Sequence, residues 1–99
     1  MIRGTTPTHI FKLPFDTAQL AEVMVIYAHD DIEVFHKNLS DCTAAGKELT
    51  VKLTQQDTLS LSHLKNVQIQ IKAKLLDGSV LVSNVYTKSV GKCLNDEVL

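Results

Sequence analysis

From Val67 to Leu75 the chain reads VQIQIKAKL, with an apolar side chain at every second position. A period of two is the repeat of a strand buried on one face. A helix returns to the same face only every three or four residues and cannot use such a pattern. Glu48 to Leu53 repeats the rhythm, with Leu49, Val51 and Leu53 inward and Glu48, Thr50 and Lys52 outward. Thr8 to Phe15 does so again, placing His9, Phe11, Leu13 and Phe15 on one face and Ile10 and Lys12 on the other, until Pro14 and Asp16 end it. In Glu22 to Ala28, Val23, Val25 and Tyr27 share one face and Met24 and Ile26 the other. A turn at Asp30-Asp31 leads to a third strand over Ile32 to Asn38. A short strand near Cys42 precedes a turn at Ala45-Gly46-Lys47.

Two connections have sharper signatures. Thr54 can cap a short helical turn, with Asp57 three residues on, and Leu59 and Leu61 would close the end of the core beneath it. Asp77-Gly78 supplies the left-handed backbone angles of a two-residue hairpin turn. In that register Leu75 faces Val80 and Ala73 faces Val82, but Ile71 then meets Asn84. Two accounts fit the slip. A β-bulge near Ser83-Asn84 would insert one residue and turn Val85 and Thr87 inward; alternatively, Asn84 sits at a rim and meets water.

These segments add up to one domain over residues 1–99, an all-β fold. The expected form is an immunoglobulin/fibronectin III-like β-sandwich of about seven antiparallel strands. Strands two and three either pair directly or cross between sheets, and the crossing form is the expected one. Composition agrees, since 25 of the 99 residues are Val, Ile or Thr, which favour strands.

Several classes of function find no footing in these residues. Net charge is −1, without the basic surplus of a nucleic-acid binder or a membrane-surface protein. Lys65, Lys72 and Lys74 make a mild basic stripe, read as a solvated face, with too few free aromatics beside it to stack bases. The longest apolar run, Val23 to Ala28, is six residues, against roughly 20 for a membrane helix. The opening MIRGTTPTH has no apolar core, so synthesis in a cytosol is expected, with Cys42 and Cys93 as free thiols. His9, His29, His36 and His63 do not lie at ligand spacing, and no metal or cofactor is expected. Asp57, Ser60 and His63 hold the residue types of a hydrolytic triad without a nucleophile elbow. The four glycines are scattered and form no phosphate loop. The expectation is a protein that is not an enzyme and has no small-molecule ligand.

One feature points elsewhere. Met24, Ile26, Phe35, Leu76 and Leu81, with Ile10 beside them, fall on faces that the alternation assigns to solvent. Grouped, such residues mark an interaction surface. Burying six of them yields on the order of 9–18 kcal/mol gross, against an association cost of about 4–15 kcal/mol. Self-association or docking into a larger assembly is therefore within reach.

The opening MIRGTTPTHIFKLPFDT, the passage VKLTQQDTL and the ending KCLNDEVL resemble a group of small prophage-encoded β-sandwich proteins of Gram-positive gut bacteria. Asp41-Cys42-Thr43, Lys52 to Leu59 and Asp77 to Ser83 carry the likeness further, so that it runs nearly end to end. More loosely, the apolar strand followed by Thr54-x-x-Asp57 is similar to the immunoglobulin-like N-terminal domains of phage baseplate upper proteins. The resemblance implies a phage structural or accessory protein, made in the host cytoplasm and built into a virion. Its partners would be copies of itself or other phage structural proteins. The alternative is a small phage-encoded binding module that recruits or inhibits a host protein.

Overall fold

Alternating segments this short bury their apolar faces only by stacking in layers, and the computed structural model, which describes residues 1–99, does this with two antiparallel sheets. The smaller sheet has the order β1 (Thr8–Lys12), β5 (Glu48–Lys52), β4 (Cys42–Ala45). The larger runs β3 (Ile32–Asn38), β2 (Leu20–His29), β6 (Val67–Leu75), β7 (Val80–Val82), with β8 (Tyr86–Lys88) also pairing β6. The fold is all-β, and the buried faces are the ones the alternation marks. Val23, Val25 and Tyr27 of β2 and Val67, Ile69, Ile71 and Ala73 of β6 meet Leu49 and Val51 of β5, with Leu20, Leu53, Leu61 and Val90 sealing the margins.

Strands two and three do not cross between sheets. Asp30 and Asp31 both adopt positive φ, 49° and 65°. This makes a tight turn whose twist suits a hairpin, and β3 folds back along β2. A bulge between Tyr27 and Ala28 then shifts the register. As a result Phe35 lies directly opposite Tyr27, on the inner face, and stacks on it with ring centroids 4.7 Å apart. Phe35 is thus packed against the core, not turned to solvent as the uninterrupted alternation had it.

The Thr54 cap is as expected. Its hydroxyl accepts from Asp57 N–H and the Asp57 carboxylate accepts from Thr54 N–H, opening the short helix α1 (Gln55–Leu59). Leu61 beyond it is buried. Thr58, the one buried polar residue, ties this helix to the N-terminal segment. Its hydroxyl accepts from Gly4 N–H at 2.9 Å and donates to Thr5 O at 2.8 Å.

The β6–β7 hairpin departs from the expected register. Leu75 N–H donates to Ser79 O and Gly78 N–H to Leu75 O, so the loop holds three residues, with Gly78 at φ +92°. The pairs are Lys74 with Val80, Ala73 with Leu81 and Lys72 with Val82. A one-residue slip reverses every side chain of a strand. Leu81 therefore faces inward, and Val80 and Val82 face out beside the lysines. A residue is indeed inserted after Ser83, as a bulge requires. Ser83 N–H donates to Ile71 O, while Ile69 pairs with Tyr86, leaving Asn84 and Val85 opposite Gln70 alone. With the hairpin shifted, however, Tyr86 and Lys88 take the inner side, and Thr87 pairs with Gln68 on the outer one. The single return strand expected from Val80 to Val90 after the turn is split in two, which makes eight strands in place of about seven.

Candidate interaction site

The two sheets do not cover one another fully. Beyond β1 the smaller sheet ends, while the larger continues into β7 and β8. Between them lies a cleft of about 850 Å³. Its floor is the inner face of β6, Ile69, Ile71 and Ala73, and its far side carries Leu81 and Tyr86, which are 43% and 51% exposed. Every residue from Thr8 to Phe15 borders it. Side chains of a strand point alternately to opposite faces, so an unbroken run can line a cleft only if the backbone edge itself faces the opening.

The bulge shapes the far side. Ile71 N–H donates to Ser83 Oγ at 2.9 Å, and that hydroxyl donates to Asn84 O at 2.8 Å. Gln70 Nε2 donates to Ser83 O at 3.0 Å. One serine thus satisfies the β6 backbone where the ladder is interrupted, and the chain steps sideways before resuming as β8.

His9 sits where the cleft meets the core. Its Nδ1 is 2.7 Å from Tyr27 Oη, and its ring stacks on Tyr27 and meets Phe11 edge-on. With Phe35 below, four rings run from the cleft into the sandwich. Burial lowers the pKa of His9, aided by Lys88 and the N-terminal ammonium. Burial raises that of Tyr27. Both groups are therefore held neutral, and the hydrogen bond between them joins the two sheets.

The surface residues singled out by alternation separate into different places. Met24 and Ile26 share the outer face of the larger sheet, half-buried among the β3 and β6 side chains opposite them, Asn38, Lys72, His36 and Gln70. Leu76 is 71% exposed at the β6–β7 tip, where its N–H donates to Gln19 O. Leu81 belongs to the cleft, and Phe35 to the core. The exposed Ile10 lies on the outward side of β1, next to the cleft. The cleft as a unit is not visible in the alternation, because its far wall depends on the loop length that reverses β7.

The groups with chemical potential do not converge. His29 clamps the loop before β6, accepting from Ser62 N–H through Nε2 and bonding Asn66 O through Nδ1. His36 pairs with Glu33 at 3.2 Å. Ser60 Oγ donates to the backbone carbonyl of Asp57 and His63 is exposed, so those three make no triad. Cys42 and Cys93 are free thiols, and burial pushes the Cys42 thiol up in pKa. No three His, Cys, Asp or Glu side chains gather in one place. Of the basic stripe, Lys65 pairs with Asp30 at 2.6 Å, while Lys72 and Lys74 stand on the outer face. No helix is long and apolar enough to cross a membrane.

No protein-family model, curated protein or solved structure matches the chain.

Proposed function

We propose that this chain is a non-enzymatic contact protein, a phage or prophage structural or accessory component that works by docking onto other protein surfaces. The supporting observation is the incomplete sandwich: a free strand edge beside an apolar cleft. Such edges recruit strands from other chains, with backbone bonds giving affinity and alternate side chains giving specificity. The phage context comes from the whole-chain resemblance, and with it synthesis in the host cytoplasm and incorporation in a tail or baseplate.

Prophage induction followed by particle purification tests this reading. The protein is expected to cofractionate with particles at a fixed ratio to a tail protein. Absence from particles together with stable recovery on a host protein would establish the alternative, a module that recruits or inhibits that host protein. Absence from both would overturn the contact reading.

A further inference from the structure

The free edge of β1 offers its backbone groups in a fixed register. Leu53 N–H donates to Pro7 O at 3.0 Å and Leu13 N–H to Lys47 O at 2.8 Å. The register between them is unbroken, from Thr8 with Lys52 to Lys12 with Glu48. In an antiparallel ladder, facing residues alternate between exchanging both hydrogen bonds and exchanging none. His9 and Phe11 therefore spend their backbone groups on β5, and Thr8, Ile10 and Lys12 turn theirs outward. The other edges are poorer. β3 is bulged and carries Glu33, His36 and Lys37, features that blunt pairing. β4 has four residues, and β7 and β8 have three each with a break between them.

The strip beyond β1 has the width of one strand. Ile69, Ile71 and Ala73 on the inner face of β6 are buried, whereas Leu81 and Tyr86, one strand further out, are 43% and 51% exposed. Nothing pairs with β7 or β8 on their far side. One strand added to β1, about 4.8 Å away, covers Leu81 and Tyr86. A folded sheet offering its edge would bring a layer of its own against this overhang, and a lone extended segment brings none.

The cleft also has a sign. Lys12 and Lys88 border it, and no Asp or Glu does. Lys12 faces Glu48 across the β1–β5 ladder. Lys88 faces Val67 on the inner side, close enough to His9 for its charge to act there, and takes part in none of the four ion pairs of the chain.

We propose that the occupant is a single extended segment of another protein, antiparallel to β1, with apolar side chains at alternate positions and a carboxylate at the end that passes Lys88. The proposal rests on the contact reading above and gives the chemistry of the partner. Residues of the segment opposite Thr8, Ile10 and Lys12 exchange about six main-chain hydrogen bonds with them. Residues opposite His9 and Phe11 point to the inner side, onto Leu81 and Tyr86, so these are the apolar ones. The next inward position, beyond His9, carries the carboxylate and gives Lys88 its counter-charge. A small apolar anion would meet Lys88 and the cleft floor but leave the outward N–H and C=O groups of β1 unused.

Two-dimensional amide NMR of the full chain tests the proposal, with the capped hexapeptide threonine-valine-threonine-valine-threonine-aspartate as the probe. Its first threonine faces Lys12 and its aspartate passes Lys88. Saturable binding with a dissociation constant below about 1 mM is expected, with the largest shifts at the amides of Thr8, Ile10 and Lys12. N-methylation of the second and third threonines, whose N–H groups point at β1, should weaken binding at least ~10-fold. N-methylation of the two valines, whose N–H groups point away, should leave it unchanged. Lysine in place of the aspartate should weaken binding about 3–10-fold, and Lys88→Glu, at an exposed position, should reverse that preference. No saturable binding below about 1 mM, or equal weakening by both methylation patterns, overturns the inference. Shifts at Leu81 and Tyr86 from sodium octanoate and none from the peptide would give the cleft to a small apolar anion. Amides of Thr8, Ile10 and Lys12 that move on dilution of the chain alone, and not on adding peptide, would give the edge to a second copy. Each of these results overturns the inference, and the contact reading stands if the chain is found in particles. A failed titration together with absence from particles and from host proteins sinks both.

Discussion

Asp57 holds two structures together at once. Its carboxylate caps α1 and also meets Lys37 Nζ of β3 at 2.7 Å, both side chains being mostly buried. Burial alone would raise its pKa, but the bonds from Lys37 and Thr54 outweigh it and hold it below the ordinary carboxylate value. A carboxylate more acidic in the folded state stabilises the fold above its unfolded pKa, near 4, and loses that contribution as pH falls through the folded value. Asp57→Asn is therefore expected to cost about 1–2 kcal/mol at pH 7, with the two urea midpoints converging at acid pH, as the carboxylate of the folded chain is protonated. A gap of equal size at both pH values would count against the ion pair. Thr58 offers a second test. Thr58→Val keeps the shape but leaves Gly4 N–H and Thr5 C=O without their partner, at a cost of about 1–3 kcal/mol. Limited proteolysis should then cut first within residues 1–7, which this hydroxyl anchors. The Thr54–Asp57 cap is legible in the sequence because capping is local. Lys37 is not, because its partner lies twenty residues away.

At the scale of elements, strands and buried faces can be read from alternation, and pairing cannot. Val67–Leu75 and Glu48–Lys52 declare which side chains go in, because each is regular and flanked by turns. The hairpin after β6 does not declare its register. Asp77-Gly78 serves a two-residue turn and a three-residue loop with Gly78 left-handed equally well, and the two differ by one residue. That residue decides whether Leu81 or Val80 and Val82 look at the core, and with it whether the cleft has an apolar far wall. The β2–β3 hairpin escapes for a similar reason: paired aspartates at positive φ are uncommon, and nothing in the alternation distinguishes a hairpin from a crossing. Ser83 gives the shifted register a direct test. Ser83→Ala strips the acceptor from Ile71 N–H at a point the ladder does not cover. The expected cost is about 1–3 kcal/mol. Amide exchange should quicken at Ile71 and through Tyr86–Lys88 while β2 and β5 keep their protection. Uniform acceleration across both sheets would mean that Ser83 does not bridge the bulge.

The molecule as a whole is thin, 46 × 27 × 16 Å, with 14 of its 99 residues buried. A sandwich of two sheets about 10 Å apart seals its core only where the sheets overlap. Here three strands cover part of five, so the stretch of β7–β8 beyond β1 rests on one layer. A chain this small draws most of its stability from one core, and an uncovered flank lowers what that core can supply. If copies of the chain associate over that flank, folding and association become linked, and the unfolding temperature depends on protein concentration. For two chains melting together, a hundredfold rise in concentration shifts the midpoint by on the order of 5 °C at this chain length. Scanning calorimetry between about 10 μM and 1 mM should show that shift in the wild type. A wild-type midpoint that stays fixed over the same range would mean that the exposed flank is stable on its own.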